Sequence, residues 1–251
     1  MALPSKYAKA VWETEGALAT WLPDRSLQVG DIVTRDGTGG AIRVETRLRD
    51  LVRHEEPGPT VRRPGVERML LQDGFSFQAD ADASAPGARV RARLSGASSF
   101  VFVAEHGTVT EYRRVADVRE AMLSLYARGV WRDTWHVVTA VRSFDACTLV
   151  VAEGDDAEAE LHVEVPGDPG GQQVIRAGAG VNVHRGRAAT WSLTASTPLY
   201  EALHVKRRLR RTETAASYLD DDPDPRPLAD GDHTEPTAAR VTPEALGLLA
   251  G

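Results

Sequence analysis

The stretch GFSFQADADA, residues 74–83, decides how this chain is read. Phe75, Phe77, Ala79 and Ala81 alternate with Ser76, Gln78, Asp80 and Asp82, a period of two that gives a β-strand one apolar and one polar face. After a turn signal at Pro86-Gly87 the alternation resumes over residues 89–94, with Val90, Ala92 and Leu94 between Arg89, Arg91 and Arg93. Two such runs joined by a turn predict an amphipathic hairpin. The pattern returns at residues 157–165, where Ala159, Leu161, Val163 and Val165 alternate with Glu158, Glu160, His162 and Glu164. Weaker strands are expected over 174–184 and 188–193, loosened by Gly178, Gly180 and Gly186.

Toward the N-terminus, residues 5–19 read as a helix capped by Ser5, with Tyr7, Val11, Leu18, Ala10 and Ala17 as its apolar stripe. Pro23 ends it. Strands are expected over 27–33 and 41–44 around a turn at Gly37, Gly39 and Gly40, and a short helix over 46–52. Residues 55–64 read as loop because of Pro57, Gly58, Pro59 and Pro64. Residues 99–105 and 108–113 read as two strands joined by a turn at His106-Gly107. The first is apolar on both faces and is expected to be central. Residues 117–128 predict the best helix, with Asp117 as cap, Glu120 at the capping-box position, Val118, Met122, Leu125 and Tyr126 as its buried stripe, and Gly129 as its stop. Strands over 135–141 and 147–152 flank an expected turn at 143–146, and 200–209 reads as a strand or short helix.

The fold class expected is α+β: a twisted, mainly antiparallel sheet with amphipathic hairpins, a few flanking helices and a polar C-terminal tail. Residues 1–211 form the ordered domain. From residue 212 the chain turns polar and proline-punctuated (Asp220 to Asp224, Pro223, Pro225, Pro227), which predicts a flexible tail. Within it only residues 243–249 regain apolar character, at Leu246, Leu248 and Leu249.

Composition narrows the functions open to such a domain. With 251 residues, 42% of them hydrophobic, a packed core is expected. A net charge of −6 argues against a general nucleic-acid binder. The single Cys147 cannot form an internal disulfide, and argues against a disulfide-stapled secreted scaffold. Met1 to Lys9 contain no apolar signal-peptide region, and no apolar run approaches the ~18 residues of a spanning helix. A soluble, cytoplasmic protein is therefore expected.

Catalytic and metal chemistry finds little support. Of the histidines, none pairs with another at helical metal-ligand spacing, and no second cysteine supports a zinc site. His136, His162 and His184 fall on expected strands and read as solvated or hydrogen-bonded residues. Cys147, among Thr148, Leu149, Val150 and Val151, reads as a small buried hydrophobe, with a Cys147–His162 nucleophile pair as the lesser reading. The glycines around residues 37–40 lack the following helix and Lys-Ser/Thr pair of a phosphate loop. Glu158, Glu160 and Glu164 lie evenly on one strand face rather than across a cleft. No cofactor, metal or catalytic residue is expected.

The run Lys206-Arg207-Arg208-Leu209-Arg210-Arg211 holds five cations in six residues of an otherwise acidic chain. Anionic lipid headgroups attract such a segment by about 1 kcal/mol per basic residue. Nucleic-acid phosphates compete as partners, and pairing with the acidic run 220–224 is the intramolecular alternative.

In its order of elements the chain resembles the pore-forming domain of gasdermins. A short helix and first strand (residues 5–33) precede hairpin strands (74–113), a helix (117–128) and a second hairpin region (135–165 with 174–193). Residues 128–141 (RGVWRDTWHVVTAV) resemble the family's passage from central helix into the second hairpin region. The basic end followed by a short C-terminal segment resembles the compact bacterial members. Those members carry a cysteine after the initiator Met for acylation, and this chain has Ala2 there, so that lipid anchor is not implied.

The resemblance implies a non-enzymatic protein kept inactive by residues 212–251 through Leu246, Leu248 and Leu249, and released by a protease. It implies membrane binding through Lys6, Lys9, Lys206, Arg207, Arg208, Arg210 and Arg211. Hairpins bearing Phe75, Phe77, Val90, Leu94, Leu161 and Val163 would then refold into an oligomeric barrel in an anionic inner membrane, in cell death or phage defence, with no nucleic-acid partner. Two other classes stay open: a binding or scaffold protein that uses residues 206–211 to meet a protein or nucleic acid, and a hydrolase built around Cys147 and the strand histidines.

Overall fold

The computed structural model describes residues 3–20, 27–35, 42–52, 58–78, 89–95, 99–152, 156–164, 174–175, 181–185, 188–209 and 234–242. The chain is an α+β protein in which every strand pairing among these residues is antiparallel. It opens with helix α1 (Leu3–Glu15), the two-residue strand β1 (Leu18–Ala19), β2 (Asp31–Arg35), β3 (Ile42–Arg47) and the single-turn helix α2 (Leu48–Leu51). Next come β4 (Thr60–Pro64), β5 (Arg68–Asp73), β6 (Phe75–Gln78), β7 (Arg89–Ser95), β8 (Phe100–Tyr112) and helix α3 (Val115–Ala127). The rest is strand: β9 (His136–Ala152), β10 (Asp156–Glu164), β11 (Val174–Ile175), β12 (Val181–Arg185), β13 (Ala188–Leu209) and β14 (Thr234–Arg240).

The strands form two sheets of nine and five. In the large sheet β5 pairs with β8, β8 with β9, and β9 with β13. In the small sheet β6 pairs with β7, β7 with β10, and β10 with β12 and β11. The order is the same because each strand of the small sheet adjoins in sequence its counterpart in the large one. Two hairpins thus grow out of four adjacent strands of the large sheet. At the first junction Gly74 takes φ +65°, a conformation that glycine adopts without a Cβ clash and that turns β5 into β6.

The longest strands are longer than local chemistry suggests. The turns expected at 106–107 and 143–146 do not form: β8 and β9 run straight through. His106 takes φ +54° as an irregularity within β8, and its N–H donates to the Glu67 carbonyl at 2.8 Å. Ser143 and Asp145 sit on partly or fully exposed positions of β9, so polar residues there mark a wet face and not a break. Likewise residues 188–193 and 200–209 belong to one strand of 22 residues, β13, which bends at Ala195 (φ +52°).

Other expectations shift at their ends. Residues 60–64, read as loop, form edge strand β4 against β8, with Thr60 opposite Tyr112; Pro64 is tolerated because it closes the strand. Helix α1 starts at Leu3, ahead of Ser5, so Ser5 is inside it and not its cap. The cap of α3 is Arg114, with no side-chain hydrogen bond; Asp117 lies in the first turn, 3.4 Å from the Arg114 guanidinium. Gly129 does end α3, at φ +71°, with its N–H on the Tyr126 carbonyl and that of Val130 on the Leu125 carbonyl. Thr46 and Arg47 close β3, leaving α2 a single turn.

The core has distinct apolar clusters on the large sheet. Tyr7 and Val11 of α1 pack on Phe100, Phe102, Phe144, Leu149 and Leu199, with Tyr7 edge-on to both Phe100 and Phe102. Val118, Met122 and Leu125 of α3 pack on Ile32, Val137, Leu203 and Val205, beside Trp131 and Trp135. A third cluster joins Leu18, Val33, Val138, Tyr200, Ala202 and Val241. Val137 and Val138 fall in different clusters because successive residues of a strand point to opposite faces. Residues 100–104 are buried at every position, so β8 is central and doubly covered, as its composition predicts.

Candidate functional site

The small sheet carries the hairpin residues singled out in the sequence, and its register puts their alternation in phase. Across the β6–β7 pair Phe75 stands opposite Leu94, and Phe77 opposite Ala92. Across β7–β10 Leu94 stands opposite Ala157, Ala92 opposite Ala159 and Val90 opposite Leu161. Farther on, Ala159 faces Val183, Leu161 faces Val181 and Val163 faces Ile175. The intervening rows are polar: Ser76, Arg93, Glu158 and Arg185 in one, and Gln78, Arg91, Glu160 and Asn182 in the next. Phe75, Phe77, Val90, Leu94, Leu161 and Val163 therefore share one parity of a single sheet. Residues 79–83, which complete the alternation in the sequence, lie outside the described residues.

The handover between sheets keeps its register where the two hairpins meet. Phe100 faces Val151 in the large sheet, and Ser95 faces Asp156 in the small one, five residues back along one strand and five onward along the other. The seam between the hairpins therefore continues the pairing of the two most buried strands.

The basic residues expected to bind membrane lie on different elements. Lys6 of α1 pairs with Asp73 at 3.3 Å, beside the Gly74 junction, and Lys9 pairs with Glu13 at 3.7 Å. Lys206 is exposed near the opposite end of β13, since β13 adjoins the small sheet at Ala188. Arg207 and Arg208 stand opposite Pro236 and Glu235 of β14. Arg210, Arg211, Leu246, Leu248 and Leu249 lie outside the described residues.

Strand β14 changes the reading of the C-terminal segment. Within residues 212–251, expected as a flexible tail, Thr234–Arg240 is an edge strand on residues 203–209 of β13, and Val241 is buried. The local sequence contains Pro236 and few apolar residues, so its own propensity is weak; the ladder offered by β13 supplies the order. Arg240 then fastens it. Its guanidinium donates to the Gly16 carbonyl, pairs with Glu201 at 3.1 Å and lies 5.3 Å from the Trp12 ring centroid. Arg142 of β9 pairs with Glu15 and, at 3.8 Å, with Glu201. The N-terminal helix and the C-terminal strand are thus tied to the same two central strands. Sequence reading missed Glu15, Arg142, Glu201 and Arg240, because partners separated by up to 224 residues leave no local spacing signal.

The histidines expected on strands do not gather. His136 lies at the start of β9 and stacks on His204 of β13, with ring centroids 5.9 Å apart, whereas His162 and His184 belong to the small sheet. Burial first, and then the charge of Lys206, hold the His204 imidazole below its ordinary value. A lowered value means that the fold favours the neutral ring. That contribution is present above the ordinary histidine value and is lost as pH falls through the folded one. Thermal melting should therefore occur at lower temperature at pH 5.5 than at pH 7.5, and His204→Gln should flatten part of that dependence.

Cys147 is buried in the α1 cluster, with its sulfur 2.9 Å from the Ser196 hydroxyl. Burial pushes its thiol up, and the Ser196 contact offsets only part of this. A raised thiol is the reverse of an activated nucleophile. A soluble disulfide reagent at pH 8 should react with native Cys147 far more slowly than with the denatured chain; equal rates would return Cys147 to consideration as a reactive group.

Among the described residues no group of three His, Cys, Asp or Glu side chains is arranged to hold a metal ion, and no helix is long and apolar enough to cross a membrane. An open depression of about 410 Å³ is lined by Arg62, Arg63, Glu67, His106, Thr108 and Asp145. Arg63 pairs with Glu111 at 2.9 Å, and the His106 ring lies 3.1 Å from a Glu67 carboxylate oxygen. It presents no nucleophile set against a base.

No family model and no curated protein matches the sequence. Among solved structures, the chain is similar to a bacterial gasdermin from Bradyrhizobium tropiciagri at 14% identity and a TM-score of 0.35, over 79% of this chain and 86% of that one. It is also similar to the gasdermin A3 membrane pore at 8% identity and a TM-score of 0.31, over 84% of this chain and 92% of that one. The likeness to these gasdermin structures is remote.

Proposed function

We propose that this chain is a non-enzymatic, membrane-active pore former held in an inactive state by its C-terminal segment. One observation carries the reading: two adjacent hairpins share a small sheet in which apolar residues stand opposite apolar and polar opposite polar across β6–β7, β7–β10 and β10–β12, the last with one register shift at Glu158/Ala159. A bilayer-spanning barrel needs that pattern, with apolar residues to lipid and polar residues to the lumen, over about 9–11 residues per strand. Strand β10 has nine residues. The other hairpin strands are shorter as described, so insertion requires them to extend. Closure through several copies is required, because lipid cannot satisfy open strand edges.

In this reading β14 covers the β13 edge while Arg240 holds it to α1. Release frees the β13 edge at Lys206 to Leu209, and Lys206 to Arg211, with Lys6 and Lys9, draw the domain to anionic membrane. A protease is the releasing partner, the inactive protein resides in the cytoplasm, and the active one resides in the inner membrane, with cell death in phage defence as the outcome. A cut between residues 212 and 233 leaves β14 held by its pairing with β13, by Arg240 and by buried Val241, so cleavage and release are separate steps.

Dye release from vesicles containing anionic phosphatidylserine tests this. A site for a specific protease placed between residues 212 and 233 permits comparison of intact, nicked and β14-depleted protein. Little release from the intact chain, some from the nicked and most from the depleted chain is expected. If the depleted chain keeps its β-sheet circular dichroism and releases no dye, the pore-forming reading fails. Salt-sensitive binding of a nucleic acid under the same conditions would favour a binding or scaffold protein acting through residues 206–211.

A further inference from the structure

The two hairpins meet along one seam, β7 against β10, and the charges on its sides are opposite. The described strands of the first hairpin carry Arg89, Arg91 and Arg93 and no acidic residue. Those of the second carry Asp156, Glu158, Glu160 and Glu164 against a single arginine, Arg185. Among the described residues neither hairpin compensates itself fully. Within the first, Arg93 stands opposite Ser76 and Arg91 opposite Gln78; within the second, Glu160 stands opposite Asn182, and only Glu158 meets an arginine. Across the seam, Arg93 stands opposite Glu158 and Arg91 opposite Glu160. Directly opposed residues have Cβ atoms about 4.5–5.5 Å apart, the range in which cross-strand charges attract or repel.

We propose that Arg91 and Arg93, with Glu158 and Glu160, are positioning residues that join the two hairpins into one sheet. Their role is adhesion and not register. A two-residue slip would still set Arg91 against Glu158 and Arg89 against Glu160, and would also keep the apolar rows in phase. Register comes instead from β8 and β9, whose buried pairing ends at Phe100 and Val151, five residues from Ser95 and Asp156 on each strand. The functional consequence, which rests on the pore-forming reading, is that both hairpins enter a membrane as one unit.

The test places cysteines at opposed positions of the seam, Ala92→Cys with Ala159→Cys, in the full chain; native Cys147 is buried and does not compete. The rate of disulfide formation reads adhesion without requiring any membrane activity. Arg91→Glu with Arg93→Glu should slow it by about fivefold, the scale of inverting two cross-strand charge pairs. Adding Glu158→Arg with Glu160→Arg should restore it. Equal rates in all three proteins, or a charge-swapped protein as slow as the half-reversed one, would overturn the proposal. Should half-reversal unfold the chain, the unreversed cysteine pair decides: its cross-linking must slow as salt rises, and salt independence overturns the proposal. Dye release measured in parallel is a separate readout: restored cross-linking without release counts against the pore and for the seam.

Discussion

Phe102→Ala is expected to destabilise the chain by about 3–5 kcal/mol, the cost of emptying a fully enclosed aromatic site. Phe102 is 0% exposed and packs in the α1 cluster with Phe100, Leu149 and Tyr7. Its strand is covered on both sides, so no surface element can settle into the space left behind. Domains are stable by only about 5–15 kcal/mol, and a fall of this size removes a large share. The melting temperature should drop by roughly 6–20 °C, taking about 2–4 °C per kcal/mol for a chain of this size. Val61→Ala, at a 37% exposed position of edge strand β4, is the control and should change stability by less than about 0.5 kcal/mol. Equal effects at the two positions would show that the α1 face of the sheet is not the core.

Arg240→Ala is expected to loosen β14 selectively. The side chain holds the Gly16 carbonyl, Glu201 and the Trp12 ring together, which joins the two ends of the chain. The guanidinium is about half exposed, so its ion pair is discounted and the whole contact is worth about 1–2 kcal/mol. That is small for the domain and large for an edge strand of seven residues. Hydrogen exchange should rise in residues 234–240 before it rises in β8 or β9, and in a nicked chain β14 should dissociate more readily. Uniform acceleration of exchange across both sheets would instead make Arg240 a general stability residue with no particular hold on β14.

The hairpins were legible because their chemistry is local. An alternating strand displays its two faces within eight or ten residues, and the phases of 75–78, 89–95 and 156–164 survive unchanged in the paired sheet. Helix α3 was legible for the same reason, its stripe and stop glycine lying within one short segment. The turns wrongly expected at 106–107 and 143–146 show the limit of local reading. A polar residue on a wet strand face and a polar residue in a turn look alike until the neighbouring strand is known. Strand β5 was overlooked altogether, since the alternation of Met69 and Leu71 with Arg68, Leu70 and Gln72 has an apolar residue on its exposed side: Leu70 is 43% exposed.

The sequence by itself determined the class of the fold, the position of the amphipathic strands and the doubly apolar character of residues 100–104, because each depends on the period of side chains along one segment. Only the tertiary structure decided that the hairpins adjoin with opposite charges along their seam, that the basic residues are split between two ends of the large sheet, and that the C-terminal segment contributes a strand. Those features depend on which strand lies beside which. In an antiparallel sheet, partners far apart in sequence are matched by the hydrogen-bond ladder and by burial, and neither leaves a mark at fixed spacing in the chain.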